Sequence, residues 1–311
     1  MHHELTKALY DVYPLEDKND FFPAFLYMKY IENFIYHAFQ ASGLAVKEPR
    51  QKVPEEIDAM LKYYVQQIAD SAPITDTNIY HGKVVKLQDA IKLVTQKKDM
   101  HLIPSEKVMP YKLAREVILK SNSPVAVGTC VCRSLSENPC LPPPYEACMF
   151  VGDPFASFLA EENPLFRRIS QEEAVKILED VHKKGFVHTA YFKKEMGNRF
   201  MAICNCCSCC CVGIRMWNML EGMVPIMASS GYVAEVSDDC NACASCLNGT
   251  CKFNAIRMAE DGQKVVINEA KCMGCGVCVD VCPVEAIRLR REPSKGDPLD
   301  IDELQSQAQK V

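Results

Sequence analysis

Residues 272–283 read CMGCGVCVDVCP and place four cysteines at the spacing C-x2-C-x2-C-x3-C-P. On a tight, glycine-containing loop, three thiolates three residues apart can reach three irons of one cubane. The fourth cysteine, followed by proline, is directed away toward a second cluster. Zinc is the main alternative, but its sites usually combine C-x2-4-C pairs across a longer spacer. The spacing therefore indicates electron-transfer chemistry, with iron–sulfur ligation by Cys272, Cys275, Cys278 and Cys282.

A second copy of the motif, 32 residues earlier, consists of Cys240, Cys243, Cys246 and Cys251. The residues after the last cysteine also repeat, because KFNAIRM at 252–258 corresponds to PVEAIRL at 283–289. Between the copies, the pair Asp261-Gly262 predicts a turn, and Lys264–Ile267 predicts a short strand. The whole segment therefore contains one cysteine motif twice.

Residues 230–292 resemble a bacterial two-[4Fe-4S] ferredoxin domain over its whole length. In that family the last cysteine of each motif ligates the other cluster. The resemblance implies one cluster held by Cys240, Cys243, Cys246 and Cys282, and another held by Cys272, Cys275, Cys278 and Cys251. The first motif departs from the family pattern, since four residues separate its last two cysteines and Lys252 replaces proline. The pair Asn248-Gly249 predicts a turn that accommodates the extra residue.

The composition bounds the class of protein. The chain has 311 residues, of which 48% are hydrophobic, so it is long enough for two or three domains with a sizeable core. A net charge of -5 argues against a nucleic-acid partner. All 18 cysteines lie between Cys130 and Cys282, at spacings typical of metal ligation rather than disulfides. The first residues lack an apolar signal region, so we expect a cytoplasmic and anaerobic setting.

The order of the patterns predicts an α+β fold class. Residues 1–103 contain no cysteine and form a mainly helical N-terminal region in this interpretation. A cysteine-rich, mixed α/β domain follows over 104–229, and the ferredoxin domain over 230–292. Residues 293–311 are expected to form a polar C-terminal tail.

The aromatic-rich stretch Phe21–Gln40 predicts an amphipathic helix and not a transmembrane one. Its polar face is expected to hold Lys29, Glu32, Asn33, His37 and Gln40, and its apolar face Tyr27, Met28, Ile31, Phe34, Ile35 and Ala38. Core packing is the favoured role of the apolar face. Docking on a redox partner or a membrane surface is the alternative.

Further elements follow from caps and periodicity. A helix is predicted to start at Pro54 and a second one to span Tyr111–Lys120. The residues SQEE at 170–173 form a capping box for a third helix. Phe186–Phe192 and Arg199–Ile203 are predicted to be strands.

Ten cysteines lie upstream of the ferredoxin segment, and they predict one or two further clusters. Cys130 and Cys132 face the same side if the chain there is extended, so they can approach one metal centre. The preferred division gives one cluster to Cys130, Cys132, Cys140 and Cys148. It draws a second cluster from Cys204, Cys206, Cys207, Cys209, Cys210 and Cys211. Ligation that mixes the two groups is the alternative.

The upstream patterns widen the resemblance. The sequences CVCR at 130–133, CMFVG at 148–152, VH at 187–188 and CNCCSCC at 204–210 look like those of a poorly characterised group. Its members are called 4Fe-4S dicluster or ferredoxin-like proteins, and the similarity covers about residues 104–290. It implies electron transfer in anaerobic redox metabolism, with a partner oxidoreductase.

Other chemistry finds little support. The sequence has no phosphate loop, dinucleotide fingerprint or G-x-S-x-G elbow. His188, just upstream of the second cysteine group, is either a structural histidine, which we favour, or a cluster contact. Arg133 and Arg215 flank the upstream cysteines, where they either offset thiolate charge or lie at the surface. Three functional interpretations remain: an electron carrier, which we favour, a reductase with a catalytic cluster, and a redox sensor.

Overall fold

The computed structural model describes residues 2–13, 15–71, 81–111, 116–193, 196–223 and 227–308. The helices and strands in chain order are α1 (His2–Asp11), α2 (Phe21–Lys29), α3 (Ile31–Ala41), α4 (Glu55–Ser71), β1 (His81–Val85), α5 (Leu87–Val94), β2 (Met100–Leu102), β3 (Val117–Leu119), β4 (Val125–Thr129), α6 (Val131–Leu135), β5 (Glu146–Val151), α7 (Phe155–Glu162), β6 (Phe166–Ile169), α8 (Gln171–Lys183), β7 (Val187–Lys193), β8 (Arg199–Cys206), α9 (Val212–Met219), β9 (Met227–Ala228), β10 (Tyr232–Val236), β11 (Ile256–Met258), β12 (Val265–Ile267), α10 (Val277–Asp280), β13 (Ile287–Arg291) and α11 (Ile301–Ala308). The predicted α+β class is confirmed.

A seven-stranded sheet connects most of the chain, in the order β6-β4-β5-β8-β7-β1-β9. Its strands pair antiparallel, except that β1 and β9 are parallel. Strand β1 comes from residues 81–85, so the sheet includes a strand from the region before residue 104. The boundaries between domains remain predictions.

Helices cover both faces of this sheet, because apolar side chains along its strands point alternately to one face and to the other. Met149 and Val151 of β5 point into an apolar cluster with residues of α5 and α8. Phe150, between them, points to the opposite face, where the N-terminal helices and α7 form a second cluster. Because successive strand residues face opposite sides, strands such as β5 and β8 contribute to both cores.

The aromatic-rich stretch near the N-terminus forms two helices, α2 and α3, instead of one. The prediction of core packing agrees with their buried apolar residues, but the expected polar face is wrong, because Glu32, Asn33 and His37 are buried as well. Glu32 is held inside by hydrogen bonds from the backbone N–H groups of Arg50 (2.9 Å) and Gln51 (3.0 Å). A buried carboxylate is tolerated where such donors satisfy it. None of the helices in the described ranges is long and apolar enough to cross a bilayer.

Of the other predicted helices and strands, some are confirmed and one is wrong in part. The helix predicted over Tyr111–Lys120 is wrong at its C-terminal end, where Val117–Leu119 form β3 and pair with β2; residues 112–115 lie outside the described ranges. β-branched side chains that alternate in burial favour a strand here. The capping box is confirmed, since the Ser170 hydroxyl accepts a bond from the Glu173 N–H at 3.1 Å. The two strands predicted before the second cysteine group are β7 and β8.

The ferredoxin segment, residues 230–292, forms two small antiparallel ladders, β10 with β13 and β11 with β12. Gly274, with φ +62°, passes close to the β10–β13 ladder. A Cβ at this position would lie 2.2 Å from the Tyr232 carbonyl oxygen, so the approach requires glycine. Residues 293–308, which were expected to belong to a polar tail, pack on the main body instead. Its residues Leu299 and Ile301 are each 1% exposed and join the core cluster of α5 and α8.

We expect the N-terminal helices to be part of the folding core. Phe158 of α7 is fully buried and packs edge-on against Phe25 of α2, with ring centroids 5.7 Å apart. Phe158→Ala should lower the free energy of unfolding by about 3–5 kcal/mol through the lost contacts and the cavity left behind. Anaerobic urea denaturation measures this change in the free energy of unfolding. The control Tyr63→Ala, at a side chain 60% exposed, should change stability by less than about 0.5 kcal/mol. Equal effects of the two variants would contradict the core assignment.

Candidate metal centres

The second ferredoxin motif surrounds a cavity. Its three cysteines line this cavity together with Cys251, which comes from the first motif. Apolar side chains such as Phe253 and Val277 form the rest of the wall. Burial, with the neighbouring thiols of Cys251 and Cys272, raises the pKa of Cys275 to about 12. Thiols crowded in an apolar cavity ionise only beside a cation, so this donor set fits an iron–sulfur cluster.

The first motif has the complementary arrangement. Burial raises the pKa of Cys246, and the neighbouring thiols of Cys240, Cys282 and Cys243 add to that effect. Cys282, from the second motif, therefore lies among the three cysteines of the first. The Cys243 side chain is exposed, so this end of the segment faces solvent. Both sets of neighbours agree with crossed ligation.

Backbone hydrogen bonds to sulfur repeat between the two halves. The N–H of Ala255 donates to Cys251 Sγ at 3.2 Å, and the N–H of Ala286 donates to Cys282 Sγ at 3.3 Å. In each case donor and acceptor are four residues apart, so Cys251 keeps the equivalent geometry despite the extra residue before it. The predicted turn is present there, with Gly249 at φ +72°. Such N–H groups stabilise thiolate and help to set the potential of a bound cluster.

The upstream cysteines form two groups that differ from the preferred division. We call the first the six-cysteine group; contacts and electrostatic coupling connect its thiols in the order Cys130, Cys148, Cys204, Cys206, Cys211 and Cys132. We call the second the four-cysteine group; it consists of Cys140, Cys207, Cys209 and Cys210. The division by position in the chain is therefore wrong, and both groups mix the two sequence clusters.

Sheet register and two helix starts produce the six-cysteine group. Cys148 of β5 lies directly opposite Cys204 of β8, and their sulfurs are 4.0 Å apart. Cys130 precedes α6 and Cys132 lies in its first turn, so the expectation that both belong to an extended segment is wrong. Cys211 precedes α9 in the same way. These elements bring distant parts of the chain to one end of the sheet.

Two thiols of the six-cysteine group have pKa values well below the usual range. Hydrogen bonds from the thiols of Cys130 and Cys204 lower the pKa of Cys148. Those of Cys132 and Cys206, with backbone N–H groups at the start of α9, do the same for Cys211. Thiolate is the form that binds metal. The donor set fits a thiolate-ligated centre.

In the four-cysteine group, a chain reversal after β8 separates Cys207, Cys209 and Cys210 from the residues before them. Its four sulfurs all lie within 4.8 Å of one another, and those of Cys140 and Cys207 are 3.5 Å apart. The thiol of Cys210 and the guanidinium of Arg133 lower the pKa of Cys207 to about 4, against the effect of burial. Within this group, Cys207 is therefore the residue whose thiolate the protein stabilises.

The two arginines differ. Arg133 is 1% exposed, and its guanidinium lies 3.5 Å from Cys207 Sγ and 3.2 Å from the carbonyl oxygen of Asn205. It has the charge-offsetting position that the sequence suggested. Arg215 instead lies over the ring of Phe39, 5.9 Å from its centroid.

His188 belongs to a hydrogen-bonded chain that the sequence did not reveal. Its Nδ1 lies 2.6 Å from Asn205 Oδ1, and its Nε2 lies 2.9 Å from His182 Nδ1. His182 Nε2 in turn lies 2.7 Å from Asp280 Oδ2, in the ferredoxin segment. Burial lowers the pKa of His188 to about 4, so it is neutral. These contacts agree with the favoured structural role of His188. In the sequence, the one indication of this hydrogen-bonded chain is the asparagine, Asn205, that interrupts the run of cysteines.

Comparisons with known proteins match parts of the chain. A family model described as a 4Fe-4S binding domain matches residues 265–288. The chain is similar to one of the subunits of tetrathionate reductase from Archaeoglobus fulgidus, with 32% identity over 34% of this chain and 55% of that protein. It is also similar to the IorA subunit of indolepyruvate oxidoreductase from the same organism, with 39% identity over 17% of this chain and 8% of that protein. Ferredoxin-2 of Desulfomicrobium norvegicum is 55% identical over 9% of this chain and 49% of its own length.

These similarities are partial. The chain spans between 8% and 55% of the lengths of the three relatives. No solved structure matches the chain significantly. The C-terminal segment is thus a ferredoxin-like 4Fe-4S binding domain, as its cysteine spacing predicts.

Crossed ligation predicts which variants resemble each other. Cys251→Ala should give the same EPR spectrum as Cys275→Ala, because both remove a ligand of the same cluster. Cys282→Ala should give the same spectrum as Cys243→Ala. Each pair should lose or convert one cluster and leave the signal of the other recognisable. If Cys251→Ala matched Cys243→Ala instead, each motif would hold its own cluster.

Proposed function

We propose that this chain is an electron-transfer protein that passes electrons through at least three iron–sulfur centres to or from a partner oxidoreductase. Two are the C-terminal [4Fe-4S] clusters with crossed ligation, and a third is held by the six-cysteine group. The setting is an anaerobic cytoplasm. Two of the relatives are named as oxidoreductase subunits, which supports a partner subunit for this chain.

Ligand supply supports a third cluster. Six thiols are more than the four irons of a cubane need, so each iron can have a protein ligand. A reductase would need an iron without a protein ligand. A group with more thiols than irons gives no support for such an open site. Two thiols with lowered pKa values and four neighbours within one group provide the donors that an iron cluster requires.

One observation carries the relay: a single apolar cluster connects the six-cysteine group to the ferredoxin segment. Cys206 and Cys211 belong to it, and Cys251 and Cys275 pack against it. Inside the cluster, the Trp217 ring packs edge-on against Phe253, with centroids 5.2 Å apart. A centre in the six-cysteine group would therefore be next to the inner ferredoxin cluster, the one that Cys251 and Cys275 hold.

The outer ferredoxin cluster completes the path. Its expected ligand Cys243 is exposed, whereas ligands of the inner cluster such as Cys272 and Cys278 are buried. Electrons would enter or leave at the exposed end, where a partner can approach. The path then runs from the outer cluster through the inner one to the six-cysteine centre.

Iron analysis of protein that was never exposed to oxygen tests the number of clusters. The ferredoxin pair alone predicts about 8 irons per chain, and a cubane in the six-cysteine group predicts about 12. Because a single substitution would leave five thiols, the test needs the triple variant Cys148→Ala/Cys204→Ala/Cys211→Ala, which leaves three. It should lose or convert this cluster, lower the iron content toward about 8 per chain and leave both ferredoxin signals in the EPR spectrum. A value near 8 in the parent protein would refute the third cluster.

The order of the relay predicts a kinetic effect. After mixing with reduced methyl viologen, freeze-quenched samples of the parent should show electrons in the ferredoxin clusters before the six-cysteine centre. Cys275→Ala, which disrupts the inner cluster, should slow reduction of that centre, because the intermediate site is lost. Unchanged rates would show that electrons reach the six-cysteine centre by another route.

A further inference from the structure

The four-cysteine group is more compact than the other candidate sites. Its sulfurs all lie within 4.8 Å of one another, and in the rest of the described chain no three Cys, His, Asp or Glu ligand atoms are as close together. The two ferredoxin ligand sets and the six-cysteine group are therefore more widely spaced. Compactness distinguishes this group from the places where we expect cubanes.

Sulfur spacing reports on the number of metal atoms. Four thiolates around one tetrahedral ion, with bonds of about 2.3 Å, have their sulfurs about 3.8 Å apart. In a cubane each thiolate binds a different iron, so the ligand sulfurs must be farther apart. The pairs Cys140–Cys207 and Cys209–Cys210 are each 3.5 Å apart. These distances match one ion rather than four.

The local chain is suited to a closed site of this kind. Cys207, Cys209 and Cys210 come from one tight turn, and Cys140 comes from the loop between α6 and β5. The Cys207 and Cys210 side chains are buried, whereas Cys140 and Cys209 are exposed, so an ion could enter from the surface. The Sγ atoms of Cys140 and Cys207 are 3.5 Å apart, so the loop and the turn meet at this point. Arg133, beside Cys207, offsets part of the negative charge that four thiolates would carry.

We propose that Cys140, Cys207, Cys209 and Cys210 bind a single tetrahedral metal ion, either zinc or iron, and not an iron–sulfur cluster. A four-sulfur tetrahedral site is the ligand environment that these two metals share. The ion fixes the 136–145 loop to the turn after β8, and it has no open coordination position. This proposal is independent of the clusters proposed above.

The double variant Cys140→Ser/Cys209→Ser tests the site with the least risk to folding, because both side chains are exposed. The parent should contain one zinc, or one iron beyond those of the clusters, and the variant should lack it. Acid-labile sulfide should be the same in both proteins, because a single ion carries none. Ser208→Ala, a change in the same turn at a residue that is not a ligand, should keep the ion.

Elemental analysis identifies the metal. If it is zinc, X-ray absorption at the zinc edge should show four sulfur neighbours at about 2.3 Å; if it is iron, the unchanged acid-labile sulfide of the double variant distinguishes it from the cluster irons. A loss of about four irons together with sulfide in the double variant would mean a cubane and overturn the proposal. Metal content identical in parent and double variant would also overturn it. Failure of the third cluster is seen separately, in the iron content of the triple variant Cys148→Ala/Cys204→Ala/Cys211→Ala.

Discussion

Closely packed thiols can ionise together only where positive charge compensates for them, and this constraint shapes the region around the upstream cysteines. Hydrogen bonds with neighbouring cysteines, together with burial, hold the pKa values of Cys130, Cys132, Cys204 and Cys206 well above the usual range. In each group the protein itself stabilises one or two thiolates. It does so with sulfhydryl donors, the start of α9 or the Arg133 guanidinium. The other thiols would ionise only beside a bound cation.

The ferredoxin segment could be predicted almost completely from the sequence, because its information is local. Cysteines three residues apart on one loop converge whatever the rest of the fold does. The repeat of flanking residues after Cys251 and Cys282 accounts for the equivalent positions of β11 and β13 and for the equivalent N–H to sulfur bonds, which were not predicted from the sequence. Even the extra residue in the first motif was absorbed where the Asn-Gly pair indicated.

The division of the upstream cysteines could not be predicted, because it depends on contacts between distant residues. Cys148 and Cys204 are 56 residues apart in the chain and meet only through the register of β5 and β8. Neither α6 nor the chain reversal after Cys206 has a clear signal in the local sequence. The same limit explains the buried polar face of α3, since the donors that satisfy Glu32 belong to a later loop.

Arg133 joins these observations into one arrangement. It lies between the two upstream groups: its guanidinium donates a hydrogen bond to Cys207 of one and is electrostatically coupled to Cys130 of the other. Its bond to the Asn205 carbonyl ties it to β8, and Asn205 is connected through two histidines to Asp280 beside the ferredoxin cysteines. One buried cation and one hydrogen-bonded chain thus connect the two upstream groups to each other and to the ferredoxin segment. A relay of electrons requires fixed spacing, because its rate depends on the distances between centres.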